Sequence, residues 1–319
     1  MAQVNTHFEQ RFRELLEEEY DEFIKTILSP QRKSFRINTN KVLNNNELVQ
    51  KITSKGLNLS SVPWCDIAYF VEYNSNSRID LGNLYEHFLG QLYIQEATSL
   101  LPPLVAQIPH PKEISDDFKV LDMCAAPGSK TTQIAGLMDN RGILIANELD
   151  YSRIAPLKLN IERSGYQNIV ITNLDGTHIQ GEMEYDRIIL DAPCSGSGVI
   201  RKSPQTLKKY NPTKLHQVTH LQKQLFKQAV ELLKPNGVLV YSTCSMDPEE
   251  NECIVQWALE EFKETISIEC IELRGVERRK VIRSFNGEEF DEIITKNTLR
   301  IWPHHYDTNG FFVSVFRKI

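Results

Sequence analysis

The segment DRIILDAPCSGSG, residues 186–198, predicts a buried strand that ends in a carboxylate and a thiol. Its apolar run, 188–190, is typical of a strand that is buried on both faces. The residues from Asp191 to Cys194, with the serines and glycines that follow, indicate the end of the strand and a loop. Ligands bind at the carboxyl ends of strands in open α/β sheets, so Asp191 and Cys194 are candidate functional residues. An isolated Asp or Cys at a strand end usually has no such role, and the interpretation depends on three further stretches of the chain.

Strands and helices alternate on both sides of this segment. Such alternation is typical of a mostly parallel sheet with helices on both faces, the α/β class. Two final apolar runs predict an antiparallel edge, and we expect the whole unit to form a catalytic domain at residues 101–319. The predicted strands lie at 118–123, 142–147, 168–172, 187–190, 237–242, 267–273, 299–302 and 310–316, and the helices at 128–137, 152–164, 215–233 and 249–262.

Residues 1–100 predict a smaller α+β domain. Apolar side chains recur at helical spacing before Pro30, and an apolar helix is predicted to lead into the catalytic domain as far as Pro102. This unit carries no catalytic signature of its own, so we expect it to dock the substrate or to pack against the larger domain. Its predicted helices lie at 8–28, 47–54 and 86–104, and its strands at 34–38 and 64–72.

The bulk composition limits the partners that this chain can have. Its 319 residues carry a formal net charge of −6, which argues against a non-specific nucleic-acid coat but allows a local basic groove. No apolar run approaches the roughly 20 residues that span a bilayer, and the amino terminus lacks the apolar core of a signal peptide. We therefore expect a cytoplasmic protein without a membrane partner. We also expect a monomer.

The six cysteines include no C-x-x-C pair, so we expect no metal site. Disulfides are not expected in a cytosolic chain either. We assign Cys65, Cys253 and Cys270 to the common role of free cysteine as a small buried hydrophobe. Cys194 and Cys244 differ, because each follows a predicted buried strand at the ligand-binding edge of the sheet.

The segment KVLDMCAAPGSKTTQIA, residues 119–135, predicts a strand, a glycine-bearing turn and a helix. A Walker loop requires glycine directly before its lysine, where this chain has Ser129. A dinucleotide fingerprint requires three glycines, of which only Gly128 is present. ATP, GTP and dinucleotide binding are therefore not expected.

An S-adenosylmethionine (SAM) site requires less of this turn, namely a close backbone approach and an acid after the second strand. Glu148 ends the second strand, 20 residues after Gly128. Asp175 follows the third strand, where it could meet the adenine, and Asp191 lies near the methionine end. A lone acid at a strand end is usually a cap or a solvated group, but three at successive strand ends of one sheet favour the cofactor.

Two thiols facing a methyl donor indicate covalent catalysis on an electron-poor ring carbon. Cytosine C5 is not nucleophilic until a group adds to C6, and a thiolate is suited to that addition. Cys194 and Cys244 are the candidates for this chemistry.

The stretches DMCAAPGSKTTQIA, DAPCSGSGV, YSTCSMDPEEN and NGFFVSVFRK are similar to those of the NOL/NOP/Sun family of RNA cytosine-5 methyltransferases. FRINTN and YIQEATS extend the resemblance over most of the chain. It implies a SAM-dependent, Rossmann-like methyltransferase with a mostly parallel seven-stranded sheet and an antiparallel edge. A small amino-terminal domain like an RNA-recognition motif precedes it. The compact layout resembles the short archaeal-type tRNA enzymes, so we expect tRNA as the RNA partner, with ribosomal RNA as the alternative.

The resemblance also implies roles for individual residues. Glu148 holds the ribose, Asp175 and Asp191 complete the cofactor pocket, and Arg153 is a weaker candidate for the cofactor carboxylate. The SAM loop consists of Cys124, Ala125, Ala126, Pro127, Gly128, Ser129 and Lys130. The family often has Gly-Gly-Lys where this chain has Gly128-Ser129-Lys130, and an acid or Gly in place of Asn309.

The resemblance assigns the catalytic roles to four residues. Cys244 is the nucleophile, Cys194 takes part in product release, and Lys130 and Asp191 contact the target base. In the mechanism we expect, the Cys244 thiolate adds to C6 of a flipped-out cytosine. Asp191, if protonated, donates a hydrogen bond to N3, and C5 then takes the methyl group. Water or Cys194 removes the C5 proton.

Two other interpretations stay open at the level of the sequence. The chain could be a SAM-dependent methyltransferase of another substrate, in which both thiols are core residues. It could also be an RNA-binding or assembly factor that keeps the fold and makes little use of methylation.

Overall fold

The computed structural model describes residues 4–73, 80–181 and 183–319. Within these ranges no helix has the length and apolar character needed to cross a membrane. The helices are α1 (Thr6–Leu16), α2 (Tyr20–Ile27), α3 (Asn45–Thr53), α4 (Tyr85–Phe88), α5 (Leu101–Val105), α6 (Ser129–Met138), α7 (Tyr151–Ser164), α8 (Pro204–Lys209), α9 (Leu215–Leu232), α10 (Glu252–Glu261), α11 (Glu292–Asn297) and α12 (Pro303–Tyr306). The strands are β1 (Lys33–Ile37), β2 (Leu57–Val62), β3 (Cys65–Tyr73), β4 (Leu92–Ile94), β5 (Lys119–Asp122), β6 (Ile143–Asn147), β7 (Ile169–Thr172), β8 (Tyr185–Asp191), β9 (Leu233–Thr243), β10 (Ile266–Glu269), β11 (Ser284–Phe285), β12 (Glu288–Glu289), β13 (Leu299–Ile301) and β14 (Phe311–Lys318).

The larger sheet has the strand order β10-β14-β9-β8-β5-β6-β7, and β13 pairs with β14 as well. Strands β9, β8, β5, β6 and β7 lie side by side in this order, and each is parallel to its neighbours. Strand β14 is antiparallel to β9, β10 and β13. The predicted mostly parallel sheet with an antiparallel edge is therefore confirmed. The strand order reverses between β5 and β8, and ligands bind at such a switch point in open α/β sheets.

The central strands are apolar on both faces, as the sequence predicts. Val120 and Val240 pack in one core with α5 and α6, while Leu121 and Tyr241 pack in a second core with α9 and α10. Successive residues of a strand point to opposite faces, so a continuous apolar run fills both layers. This packing fixes the carboxyl ends of β5, β8 and β9 relative to one another.

The smaller sheet has the order β2-β3-β1-β4, and all its strands are antiparallel. Leu48 and Ile52 of α3 pack against Phe35 and Ile37 of β1. This α+β unit agrees with the amino-terminal domain that the resemblance implies. The sequence does not predict strand β2, because its interior has no buried residue and only its two ends are buried.

The single helix predicted at 86–104 is wrong. The structure has the short helix α4, the strand β4 and then α5 after one 3₁₀ turn. Leu92 pairs with Ile37 and Ile94 pairs with Phe35, so β4 forms the edge of the smaller sheet. A short apolar run fits a helix or a strand equally well, and here the pairing with β1 decides for the strand.

The helix predicted at 8–28 is divided into α1 and α2 by the acidic turn Glu17–Glu19. Carboxylates at the carboxyl end of a helix oppose its dipole, so α1 is disfavoured beyond Leu16. Tertiary partners hold the turn, since Glu17 pairs with Lys280 at 2.6 Å and Glu19 contacts the ring of His304 at 2.8 Å.

Helices α1 and α2 pack against the second half of the chain rather than against the smaller sheet. Phe8, Phe12 and Phe23 share a buried cluster with Leu207 and Trp302. Arg11 of α1 adds ion pairs to two acids of the second half, Asp247 at 2.9 Å and Glu249 at 2.8 Å.

Candidate active site

A cavity of about 330 Å³ opens at the switch point of the larger sheet. The carboxyl ends of β5, β8 and β9 border it, together with residues that precede α5 and residues next to β14. It is lined by Tyr93, Ile94, Gln95, Glu96, Thr98, Ser99, Asp122, Cys124, Ala125, Ala126, Pro127, Ser129, Lys130, Arg153, Asp191, Val199, Lys202, Cys244, Asn309 and Phe311.

The loop after β5 forms one wall of this cavity and leads into α6. Gly128 has a φ of +100°, which side chains rarely adopt, and a Cβ there would lie 3.0 Å from Leu157. Glycine therefore allows the turn that the sequence predicts at this point. Cys124 to Pro127, Ser129 and Lys130 line the cavity, whereas Gly128 itself does not.

Glu148 lies behind this loop and holds its backbone. One carboxylate oxygen accepts the Ala126 N–H at 3.2 Å, and the other accepts the Asp150 N–H at 2.9 Å. Arg153 contacts the same carboxylate at 3.3 Å and donates to the Ala126 carbonyl at 2.5 Å. Arg153 lines the cavity but Glu148 does not, so the structure places Glu148 one layer behind the wall.

Asp175 lies outside the cavity lining. Its carboxylate is half exposed and accepts the Thr177 N–H at 2.9 Å. The hydrogen bonds from Thr177 lower the pKa of Asp175. In this structure Asp175 caps the turn after β7 and does not join Lys130, Asp191 and Cys244.

The buried Lys130 side chain and the partly exposed Asp191 carboxylate form an ion pair in the wall of the cavity. The Lys130 Nζ lies 2.6 Å from Asp191 Oδ2 and 3.2 Å from Ser99 Oγ, while Ser242 Oγ donates to Asp191 Oδ1 at 2.8 Å. Burial alone would lower the pKa of Lys130, but the Asp191 carboxylate outweighs it and the pKa is raised. Lys130 is therefore a charged donor at neutral pH.

Cys194 and Cys244 meet beside this ion pair. Their sulfur atoms are 3.0 Å apart, and Cys244 lines the cavity whereas Cys194 lies behind it. The hydrogen bond with Cys244, with burial, raises the pKa of Cys194 well above its ordinary value. Cys194 is thus a thiol at neutral pH and can donate to the Cys244 sulfur.

A glycine brings the loops that carry these thiols together. Gly198 donates its N–H to the Cys244 carbonyl at 2.9 Å, and its carbonyl accepts the Gly310 N–H at 2.9 Å. A Cβ on Gly198 would lie 2.3 Å from the Gly310 oxygen and 2.6 Å from the Cys244 oxygen, so no larger residue fits. The serine- and glycine-rich run that predicts a loop also allows this close approach.

The chain's own groups fit the binding of SAM in this cavity. Asp122 has one buried carboxylate oxygen that accepts from Thr131, while the other has no partner among the described residues. Burial raises the pKa of Asp122 to about 6, so the carboxylate is largely ionised at neutral pH. A buried acceptor without a partner calls for a donor, and the amino group of SAM is one. Arg153 supplies a positive charge for its carboxylate.

The sequence does not predict the wall formed by Tyr93 to Glu96 with Thr98 and Ser99, because the pattern of this region predicts a helix. It also missed Asp122, Val199, Lys202 and Phe311. The quoted match YIQEATS covers residues 93–99 and NGFFVSVFRK covers Asn309 and Phe311, so both held a usable signal. Asp122 could have been found as a further acid at the end of a predicted strand.

One group of side chains away from the cavity has the spacing of metal ligands. Among the described residues, Glu19, His304 and His305 bring three donor atoms within 4.8 Å of one another. Both imidazole Nε2 atoms contact the same Glu19 oxygen, at 2.8 and 2.9 Å. These hydrogen bonds account for the arrangement without an ion.

The fold is of the Rossmann-like class, and the cavity lies at the edge of the sheet where folds of this class bind their ligands. The chain belongs to the 16S rRNA methyltransferase RsmB/F family, whose model matches residues 109–317. The model for the N-terminal domain of 16S rRNA methyltransferase RsmF matches residues 4–97. The resemblance that the motifs indicate is thereby confirmed.

The chain is also similar over nearly its whole length to curated proteins named ribosomal RNA small subunit methyltransferase F. The chain is 40% identical over 303 residues to ribosomal RNA small subunit methyltransferase F of Vibrio atlanticus (strain LGP32), covering 93% of this chain and 60% of the relative. It is 38% identical over 303 residues to the protein of that name from Klebsiella pneumoniae (strain 342), covering 94% of this chain and 60% of the relative. The chain thus spans about three fifths of the length of these relatives.

Solved structures share the complete fold. A methyltransferase homolog protein from Pyrococcus horikoshii is 31% identical, with a TM-score of 0.82, and the match covers 100% of this chain and 96% of that one. NSun6 from P. horikoshii, solved with SFG, is 22% identical with a TM-score of 0.80, and the match covers 98% of each chain.

Proposed function

We propose that this protein methylates C5 of a cytosine in ribosomal RNA, with SAM as the donor and Cys244 as a covalent nucleophile. One observation carries the proposal: the Cys244 thiol lines the cofactor cavity 3.0 Å from a second thiol, beside the Lys130–Asp191 ion pair. A nucleophile and a cation that line one cavity, with a thiol donor directly behind the nucleophile, are the groups that addition to C6 of a pyrimidine requires.

Ribosomal RNA is the substrate we favour over the tRNA expected from the compact layout. The curated relatives at 38% and 40% identity are named for ribosomal RNA. The layout argument for tRNA is an analogy between folds, and a fold by itself does not determine a substrate.

The first step forms a bond between the Cys244 sulfur and C6 of the cytosine. The Cys194 thiol can donate a hydrogen bond to the Cys244 sulfur, because the two sulfurs are 3.0 Å apart. The electron pair displaced from the C5–C6 double bond moves onto the ring. Lys130 can stabilise that charge, and we assign the donor role to it rather than to Asp191, because its ammonium donates to the Asp191 carboxylate at 2.6 Å.

SAM, when bound, supplies a methyl group as an electrophile for C5. The C5 proton then passes to water and the bond between sulfur and C6 breaks, which restores the double bond and returns Cys244 as a thiolate. The Cys194 thiol again donates to that sulfur. Cys194 thereby assists release, which is the role that the resemblance implies.

The proposal is tested with purified protein, labelled SAM, and ribosomal RNA and tRNA separated from cells that lack the enzyme. We expect 5-methylcytosine in ribosomal RNA, mapped by bisulfite sequencing, and none with Cys244→Ala. Methylation confined to tRNA would overturn the substrate, and activity retained in Cys244→Ala would overturn the nucleophile. Tight RNA binding by a folded protein without methylation of either pool would favour a binding or assembly factor.

The division near residue 100, the monomeric state and the cytoplasmic location are also proposals. The separate sheets support the division, although α1 and α2 pack with the second half. Light scattering on the purified chain tests the monomer. A mass of twice 36.8 kDa would contradict it.

A further inference from the structure

The two loops that carry the thiols share one buried carboxylate. Each cysteine is followed by a serine, as Cys194-Ser195 and Cys244-Ser245. Both serine hydroxyls donate to the same oxygen of Glu250. Glu250 is fully buried, and it does not line the cavity.

The second oxygen of Glu250 binds the first loop and a neighbouring helix. It accepts the Ser195 N–H at 2.9 Å and the Gln222 side-chain amide of α9 at 3.0 Å. The same Gln222 amide also donates to the Pro193 carbonyl at 2.9 Å. Four donors therefore converge on one carboxylate, three of them from residues that directly follow the two cysteines.

The carboxylate itself has a fixed position. Glu250 lies in the turn between β9 and α10, and its carbonyl accepts the hydroxyl of Tyr241 from β9 at 2.7 Å. Burial raises the pKa of Glu250, whereas the hydrogen bonds from Ser195 and Ser245 oppose that rise. A buried carboxylate depends on such donors, so its removal leaves several of them unpaired.

We propose that Glu250 is a positioning residue that holds the Cys194 and Cys244 loops together and so sets the contact between the two thiols. The hydrogen bonds to Glu250, which we call the Glu250 clamp, are observed in the structure and do not depend on the proposed function. The effect of the clamp on catalysis rests on the proposed function. A buried acid that only stabilises the fold would leave the reaction between the thiols unchanged in a folded variant.

The proximity of the thiols can be measured without RNA. Diamide oxidises two thiols to one disulfide: the S–S bond forms, two S–H bonds break, and diamide takes up both protons and both electrons to become the hydrazine. We expect wild-type protein to form the Cys194–Cys244 disulfide, identified by peptide mass spectrometry. Glu250→Gln replaces an acceptor oxygen by an amide donor and should slow this reaction about tenfold or more.

The change in the pKa of Cys194 in Glu250→Gln would speed disulfide formation, whereas the loss of geometry would slow it. Glu250 contributes to the raised pKa of Cys194, so neutral glutamine lowers that pKa and makes the thiol more reactive. A slower disulfide in Glu250→Gln therefore reports lost geometry and not lost reactivity. Glu249→Gln is the matched control, because Glu249 is the adjacent acid and contacts Arg11 instead of the two loops.

A disulfide rate within twofold of wild type in folded Glu250→Gln overturns the proposal. If Glu250→Gln fails to fold, as judged by circular dichroism, the double variant Ser195→Ala/Ser245→Ala replaces it, because it removes the two hydroxyl donors. The same twofold limit on the disulfide rate then applies to the double variant. In the RNA assay we expect Glu250→Gln to lose kcat about 100-fold with little change in KM for SAM. If diamide confirms the clamp but the protein methylates no RNA, the proposed function is refuted and the positioning role of Glu250 is kept.

Discussion

At the scale of single residues, the site depends on the charge of Lys130. Burial favours the neutral amine of this side chain, and the Asp191 carboxylate keeps it charged. Lys130 is buried, and its raised pKa depends on Asp191 at 2.6 Å. The same ammonium is the donor that we assign to the charge on the base. The pair therefore links the electrostatics of the site to the rate of the proposed reaction.

Asp191→Asn should reduce methylation about 100-fold or more, because it removes the partner that orients and charges Lys130. Without Asp191, burial lowers the pKa of Lys130. The ammonium is then lost at a lower pH, and the alkaline limb of the pH–rate profile should move toward neutrality. A profile measured in both proteins checks this, and an unchanged alkaline limb would contradict the role of the pair.

The sequence predicts part of this arrangement correctly, for a physical reason. Asp191 ends a buried strand, Cys244 follows one and Lys130 lies in the first turn of the helix after one, and parallel strands bring their carboxyl ends to one edge. Glu250 could not be predicted, because it lies in an acidic run whose side chains acquire distinct partners only through the fold. Its neighbour Glu249 faces Arg11 instead.

At the scale of secondary-structure elements, pairing partners decide what local patterns leave open. Residues 92–94 form β4 because they pair with β1. The sequence of these three residues contains no pattern that identifies β1 as their partner. Likewise α1 stops at an acidic turn whose glutamates find Lys280 and two histidines far along the chain. Central strands were easier to predict, because both of their faces are apolar.

The contact between the α1–α2 turn and α12 should make stability depend on pH. Burial lowers the pKa of His305, although Glu19 opposes this, and His304 and Arg279 add to the lowering. The unfolded chain therefore binds a proton more readily, and folding stability falls as the pH falls below the ordinary histidine value of about 6.5. Glu19 acts in the same direction, because hydrogen bonds from His304 and His305 lower its pKa against the effect of burial.

His305→Asn should therefore lose less stability than wild type between pH 7.5 and pH 5.5, roughly the range around the histidine value. Urea unfolding at both pH values checks this. His220→Asn, which changes an exposed histidine of α9, should behave like wild type. An equal loss of stability in His305→Asn and wild type would contradict the assignment.

At the scale of the whole molecule, the two sheets and the first two helices are packed into continuous cores. Trp64 and Phe70 of the smaller unit lie in the same core as Val240 and Val313 of the larger sheet. The helix pair α1–α2 reaches further along the chain and packs on Trp302. The amphipathic pattern predicts that these helices bury one face, but it does not identify what covers that face.

Phe12→Ala should destabilise the whole protein by about 3–5 kcal/mol, because the ring is fully buried among Phe8, Phe23 and Trp302. Urea unfolding followed by tryptophan fluorescence and by circular dichroism should shift together. Phe88→Ala, at an exposed phenylalanine of α4, should change stability by about 0.5 kcal/mol or less. A shift seen by one probe alone would show that the helix pair unfolds separately from the rest.

The central claim is that Cys244 bonds to the base and Cys194 assists its release. The most direct test incubates wild type, Cys194→Ala, Cys244→Ala and the double variant with SAM and ribosomal RNA, and resolves the products on a denaturing gel. The account predicts an RNA–protein adduct that accumulates in Cys194→Ala and is absent from both proteins that lack Cys244. An adduct in Cys244→Ala, or full turnover without an adduct in Cys194→Ala, would contradict it.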